Sequence, residues 1–550
     1  MSIEITVDAL LATHDQKLEP LRQNYCDYKP SHTITVSSYL LTESVLTDLR
    51  DACLSLNNTK LAQQASILLE VKKGADAETT SVPNFNVFAQ LLKSYLAERK
   101  ADGWVYIEAK DGRFYPFAVL SVKVIPARTM PKTSKHVALK LACIAPNTSS
   151  KEGAFERQTM TVDFYPIDVT RKKVGAILEQ AGVYPETKAL REAYDASMKS
   201  FKETFAPKFA EQMIATGRTW DAARRGQYCQ TVSMSNRKAV QDTEFASVVL
   251  EPCYLEVHTD DVSPNQDPLM VEVPVHPVLR LYDLMTHEWF YMHCDYLEVY
   301  EYDESVREKL ILPETHVQLL DVLTSDLSKK FRVDFIAGKA TGTIVLSRGL
   351  SGLGKTLTAE VYSEIRRKAL LKIHAGNLGT DPEKIVKSLR HYFDLSLRWE
   401  LPVLLDEADV FVMQRGSNMQ HNAVVAEFLR VLEYFEGTMF LTTNRSDEID
   451  DAIVQRCAAI INYERPDPHQ QRAIWKVMAD QQNAVLDDGM LDQLLQSFPS
   501  IRPRDIRELL SLTLRMNSTT PDSPLTIEDF RKWAVFRAID IEKLSGRAGN

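Results

Sequence analysis

The chain is poor in the features that mark a secreted, metal-stapled or membrane-spanning protein. Its seven cysteines, Cys26, Cys53, Cys143, Cys229, Cys253, Cys294 and Cys457, form no CxxC pair. Its twelve histidines supply neither HExxH nor a Cys/His cluster. Thiols scattered in this way fit a reducing compartment and argue against a disulfide framework or a spaced zinc site. The opening MSIEITVDALL has no basic stretch ahead of an apolar one, so no signal peptide is expected. No apolar run nears the length that a bilayer demands. A soluble cytoplasmic protein is the expectation, with no membrane partner. No internal repeat is visible, and low complexity is confined to the loop-like NSTTPDSP. The formal net charge of −10 argues against a chain that coats nucleic acid. Two short basic spots, TRKK (170–173) and AARRG (222–226), have no interleaved aromatics and read as solvated faces.

What is present is ample material for large cores. With 550 residues, 44% hydrophobic and 25% charged, about three domains are expected. Residues 1–100 read as mostly helical, because ESVLTDLRDACLSL and FNVFAQLLKSYLAER carry apolar positions at helical spacing. Residues 101–320 read as an α+β region for a substrate or partner. It opens with a hairpin across the DG of GWVYIEAKDGRFYPFAVLSVKVI. Strands follow in HVALKLACIA and RQTMTVDFYPIDV, then a helical stretch from about residue 170 to 225, then strands in FASVVLEPCYLEV and VLRLYDLMTHEWFYMHC. Residues 321–465 alternate strands with helices, the mark of a parallel sheet covered on both faces. Residues 466–550 are purely helical, and Thr526 with Asp529 forms a capping-box pattern.

The chemistry is concentrated in the third segment. RGLSGLGKTLTAE (348–360) contains G-x-x-x-x-G-K-T between a β run and a helix. Gly349, Gly352 and Gly354 let backbone N–H groups approach phosphate oxygens closely. Lys355 brings a charge to the outer phosphates, Thr356 brings a hydroxyl to Mg²⁺, and the helix adds the positive end of its dipole. Ser351 stands where many such loops have proline, which stiffens the loop without shaping its contacts. The candidate nucleotide-binding set is Gly349, Ser351, Gly352, Leu353, Gly354, Lys355, Thr356 and Leu357.

LPVLLDEADVF then reads as an apolar central strand ending on Asp406 and Glu407. Asp406 would hold Mg²⁺ with Thr356, and Glu407 would polarise the attacking water. DEAD (406–409) invites a helicase reading. That class has Ser-Ala-Thr at the end of the next strand, whereas here the strand reads GTMFLTTNR. It places Asn444 at a strand C-terminus, where an amide can orient the lytic water; a turn asparagine is the plainer alternative. Arg456 ends a short helix in EIDDAIVQRCAAIINY and could reach a neighbouring subunit's nucleotide. Arg504, in RPRDIRELL, could be carried to the phosphates by a helical lid, with Arg502 and Arg507 as rivals. Surface ion pairs are the ordinary role for each of these arginines.

In this order the motifs resemble those of the AAA ATPases: Walker A at 349–356, Walker B at 403–407, sensor 1 at Asn444, an arginine finger at Arg456 and a sensor-2-like Arg504. The resemblance spans about residues 331–541. It implies an AAA+ P-loop NTPase core, a parallel sheet with helices on both faces, followed by a C-terminal helical lid and preceded by an α+β N-terminal region. GNLGTDPEKI, LLDEADVFVMQR and YEYDESVREKLILPETH are most similar to a group of fungal and bacterial AAA proteins with a large N-terminal region of unknown function. Such a protein is expected to hydrolyse ATP with Mg²⁺, to assemble with itself, commonly as a hexameric ring, and to act on a protein held by its N-terminal region. The alternatives are a regulatory module whose oligomeric state is set by ATP, and a nucleic-acid-acting ATPase. Two departures stand out. Gln455-Arg456-Cys457 offers a single finger arginine, and HAGNLGTDPEK lacks the aromatic of a threading pore loop, leaving Leu378 as a weaker grip.

Overall fold

The computed structural model describes residues 3–36, 40–76, 81–98, 104–127, 134–147, 154–220, 232–243, 252–257, 269–325, 342–378, 381–417, 419–445, 448–517, 525–537 and 539. The chain divides into two compact units, Met1–Phe209 with Met213–Val299, and Ala210–Gln212 with Tyr300–Asn550. AARRG (222–226) and most of NSTTPDSP lie outside the described residues.

The first unit is α+β. Near its start a two-stranded antiparallel pair, Ile3–Thr6 with Thr33–Val36, shares a core with the helices Glu43–Ser55 and Thr59–Asp76. The DG hairpin forms between Trp104–Glu108 and Phe114–Ile125, with Gly112 in a left-handed turn conformation at φ 82°. It belongs to a five-stranded antiparallel sheet with His136–Pro146, Phe155–Phe164 and Val183–Pro185. A second five-stranded sheet contains Gln212–Arg218, Ser233–Gln241, Val278–Asp283, Trp289–His293 and Leu297–Val299.

The helical stretch expected over 170–225 is broken in two places. Helices cover Val174–Gln180 and Lys188–Ser200, but Val183–Pro185 and Gln212–Arg218 are strands. The sign was in the alternation: Met213 and Ala215 are fully buried with Ile214 between them less so. Of the basic spot TRKK, Arg171 sits in a turn at φ 65° and Lys172 bonds Gln180 at 2.8 Å, a structural role.

The second unit holds the parallel sheet. Its strands are β1 (Thr343–Gly349), β2 (Leu371–His374), β3 (Val403–Asp406), β4 (Thr438–Thr443) and β5 (Ala459–Tyr463), in spatial order β2-β3-β4-β1-β5. All four pairings are parallel. The near-continuous apolar runs of these strands follow from cover on both faces. Val345, Phe440 and Leu404 lie side by side and pack with Ala359 and Tyr362 of the helix Lys355–Ile365. On the opposite face Leu346, Leu441 and Leu405 form an equally buried row. After β5 come the helices Pro468–Gln481, Asp488–Ser497, Pro503–Asn517 and Ile527–Ala534, gathered around Trp475, Leu494, Ile506 and Phe530. Each of three starts has a side-chain cap that satisfies an otherwise unpaired N–H: Asp467, Asp487 and Thr526. The Thr526–Asp529 capping box is complete.

Candidate active site

The strand-to-helix loop at 349–354 is shaped by its glycines. Gly349 has φ 142°, and a Cβ there would lie 2.3 Å from the Tyr463 carbonyl oxygen on neighbouring β5. Gly354, at φ 102°, is the left-handed N-cap of the helix Lys355–Ile365. L side chains rarely adopt either conformation. Leu353 is buried in the core beneath β1, which ties the loop to the sheet, while Leu357 is exposed on the helix.

Lys355 is buried at 8% exposure, an uncommon position for a lysine. Its Nζ donates to the carbonyls of Gly349 (2.6 Å) and Leu350 (2.8 Å) and to Asn444 Oδ1 (3.0 Å). Burial lowers its pKa, while Asp409, Asp406 and Glu407 nearby act to raise it.

Asp406, at the end of β3, accepts on one oxygen from Thr356 Oγ1 at 2.8 Å and Thr442 Oγ1 at 2.6 Å. Its other oxygen lies 3.7 Å from Lys372 Nζ, which also pairs with Glu360 at 3.1 Å. Thr356 and Asp406 thus present hard oxygen donors side by side, the ligand type that suits Mg²⁺.

Glu407 is left-handed at φ 54°. That conformation costs a residue with a Cβ about 1–2 kcal/mol. Its N–H donates to Thr442 Oγ1 at 3.0 Å, and its exposed carboxylate lies 3.4 Å from His374 Nε2 at the end of β2. Strained backbone at the C-terminal edge of a parallel sheet is a pointer to function. Asn444 is held from behind, because Asp409 Oδ1 accepts both the Asn444 N–H at 2.9 Å and the Thr443 hydroxyl at 2.5 Å.

Two arginines part company here. Arg504 starts the lid helix Pro503–Asn517, and its N–H donates to the Gly352 carbonyl at 3.2 Å. Its rivals have partners of their own, Arg502 partly on the loop itself. Arg502 bonds Asp505 at 2.7 Å and the Ser351 carbonyl at 3.4 Å, and Arg507 bonds Glu508 at 2.8 Å. The Arg504 side chain is exposed, with the Glu508 carboxylate near enough to feel its charge. Arg456 is at the other end of the sheet. The pairing of β1 with β5 puts Gly349 beside Tyr463 and Val345 beside Ala459, and Arg456 precedes Ala459. Its contacts are the Ala452 carbonyl at 3.3 Å and Glu433 at 3.9 Å.

The structure therefore brings together the loop, Lys355, Thr356, Asp406, Glu407, Asn444 and the backbone of Arg504, and leaves Arg456 apart. Sequence reading missed Thr442, His374, Lys372 and Asp409. A signal existed for three of them: Thr442 is the penultimate residue of β4, His374 the last of β2, and Asp409 lies within the DEAD run. Leu378, a candidate grip, is buried at 5% exposure and offers nothing to a passing chain in this conformation.

A glycine loop closing onto a helix, a buried lysine above it, and a Thr–Asp pair flanked by a glutamate define a P-loop nucleotide-binding domain. The family is equally specific. Residues 345–465 match the model of AAA, the ATPase family associated with various cellular activities, so the chain carries an AAA ATPase domain. Human ATPase family gene 2 protein homolog B is 30% identical over 159 residues, 27% of this chain and 19% of that protein. Spastin of Drosophila grimshawi is 25% identical over 206 residues, 35% of this chain and 24% of that protein. The chain thus spans a quarter or less of the length of these relatives. Among solved structures, the FIGL-1 AAA domain aligns at 19% identity and TM-score 0.35, over 44% of this chain and 86% of that one. A chain of the E. coli MS115-1 HORMA:CdnC:Trip13 complex aligns at 16% identity and TM-score 0.33, over 42% and 90%. These scores are too low to bear on function. Among the described residues no helix is long and apolar enough to cross a membrane.

Proposed function

We propose that the protein hydrolyses ATP in an oligomer of its own copies and uses the turnover to remodel a protein bound by its first unit. The observation that carries the hydrolytic reading is the Thr356–Asp406 bond at 2.8 Å, with Glu407 next in chain on a strained backbone.

The roles follow from the donors and acceptors available. Backbone N–H groups of 349–354 and the helix start cradle the phosphates. Lys355 exchanges its bonds to the Gly349 and Leu350 carbonyls for phosphate oxygens; an ammonium bonded to carbonyls gains by meeting a full negative charge. Thr356 and Asp406 hold Mg²⁺, which when bound neutralises charge on the phosphates. Glu407 takes a proton from the attacking water, and Asn444, fixed by Asp409, orients that water. Arg504 follows the γ-phosphate from the lid. Arg456 serves a neighbouring copy, because it lies at the far end of its own sheet.

Remodelling is supported by the AAA domain and by the presence of a folded α+β unit ahead of it. A second reading, a switch in which ATP sets oligomeric state, is supported by the buried Leu378 and the absent pore aromatic. ATP turnover per subunit against protein concentration tests the core of the proposal. Specific activity should rise with concentration, and Glu407→Gln should bind ATP without turning it over. Parent-level turnover by Glu407→Gln would remove Glu407 as the base. ATP binding without turnover by the parent protein would favour the switch.

A further inference from the structure

A cleft of about 570 Å³ opens in the first unit, between the helices Thr59–Asp76 and Lys188–Ser200 and the strands Gln212–Arg218 and Leu297–Val299. That is the size of a small-molecule site. We propose that it binds a small carboxylate with an apolar body. The nucleotide chemistry of the second unit plays no part in this reading.

The walls are apolar, with Leu61, Ile67, Phe114 and Leu190 among them. The floor is polar and lopsided. The Asp295 carboxylate is already engaged, accepting from Arg113 Nη1 at 2.5 Å and from Ser197 Oγ at 2.9 Å. His293 Nδ1 accepts the Asp295 N–H at 3.2 Å. Glu298, which is exposed, also lines the cleft. Arg113 Nε–H is buried without an acceptor, while the guanidinium is steadied over the Tyr296 ring at 4.5 Å. Burial and the nearby Arg113 charge push the His293 pKa down to about 3. The ring is therefore neutral near pH 7, and with Nδ1 accepting, its proton sits on Nε2. The unmatched buried Arg113 Nε–H is costly, and a ligand oxygen would relieve it. Carboxylates meet arginine in this way, through a fork of N–H groups.

The same floor repels a metal ion, although His293, Cys294 and Asp295 place ligand atoms within 4.8 Å of one another. The imidazole lone pair is spent on a backbone N–H, and the carboxylate is paired with a cation. The thiol is kept protonated, its pKa pushed up by burial and by Asp295.

The test is equilibrium dialysis of labelled decanoate against the full chain, with decylamine as a competitor of equal chain length and opposite head. One saturable site per chain is expected, with decylamine failing to compete. Ala193→Trp, which fills the cleft from the helix Lys188–Ser200, should weaken binding at least tenfold. Arg113→Lys should do the same while leaving Asp295 a cation, so the result does not hang on one variant folding. Circular dichroism confirms the fold of each. No saturable uptake up to ~1 mM, equal competition by decylamine, or unchanged binding in Arg113→Lys would each overturn the proposal.

Discussion

Arg456 offers the sharpest test of a shared active site. In the β1–β5 register Ala459 lies beside Val345, four residues before Gly349. At about 3.3 Å per residue that separates the base of the sheet from the phosphate loop by roughly 13 Å. Arg456 stands further back still, at the end of the helix Asp451–Arg456. Its side chain cannot span that gap and points its contacts toward Glu433 instead. Arg456→Ala should therefore leave ATP affinity of the dilute protein unchanged. In the assembled protein it should lower kcat by about 10³-fold or more, the usual worth of an arginine supplied in trans. Mixing separates a shared site from a collapsed one. Arg456→Ala has an intact pocket without a finger to offer; Glu407→Gln has a finger and a dead pocket. In a randomly mixed 1:1 assembly about one interface in four joins a live pocket to a live finger, so about a quarter of parent activity should return. Phosphate release measured over a titration of one variant into the other reads this directly. Absence of any recovery in mixed assemblies, or parent-level kcat in Arg456→Ala alone, would refute the reasoning.

Other outcomes follow from single contacts. Gly349→Ala would drive a Cβ to 2.3 Å from the Tyr463 carbonyl and strain the positive φ, so a loss of about 2–4 kcal/mol is expected in urea unfolding of the second unit, with loss of ATP binding. A parent-like midpoint with normal ATP affinity would contradict the loop geometry. His374→Ala removes the 3.4 Å neighbour of Glu407 and should change kcat several-fold without changing ATP affinity; an unchanged kcat would show that the contact is idle. Asp111 is buried, and burial raises its pKa from 3.8 to about 6. The folded state then binds more protons than the unfolded one between those values, so this group's contribution to stability is full below pH ~4 and falls as pH rises through 6. The shift corresponds to about 3 kcal/mol. Thermal unfolding of the parent and Asp111→Asn at pH 4.5 and 7.5 should show about 2 kcal/mol of it as a difference in pH dependence, the rest being lost below pH 4.5; equal pH dependence would remove Asp111 as the source.

The nucleotide domain was legible because its requirements are local. Backbone that must turn at positive φ selects glycine at 349, 352 and 354, and a strand buried on both faces must read as LPVLL until it reaches the polar crevice at Asp406. Those constraints leave their mark within a few residues, so Lys355, Thr356, Asp406, Glu407 and Asn444 could be named from spacing. The strand Gln212–Arg218 was missed for the opposite reason. Its alternation is short, and of its two sheet neighbours, Ser233–Gln241 and Leu297–Val299, the second is some eighty residues away. The partners of the named residues were also out of reach. Thr442 joins Asp406 to the Glu407 backbone, and His374 stands beside the Glu407 carboxylate, because parallel pairing aligns strand ends from 374 to 444 along one edge. Composition along the chain specified which residues could do chemistry. Only the sheet order β2-β3-β4-β1-β5 decided which strand-end residues meet and left Arg456 at the far end, while the packing of the helix Pro503–Asn517 brought Arg504's backbone to the loop. Register is a property of the paired strands and is written in neither one alone.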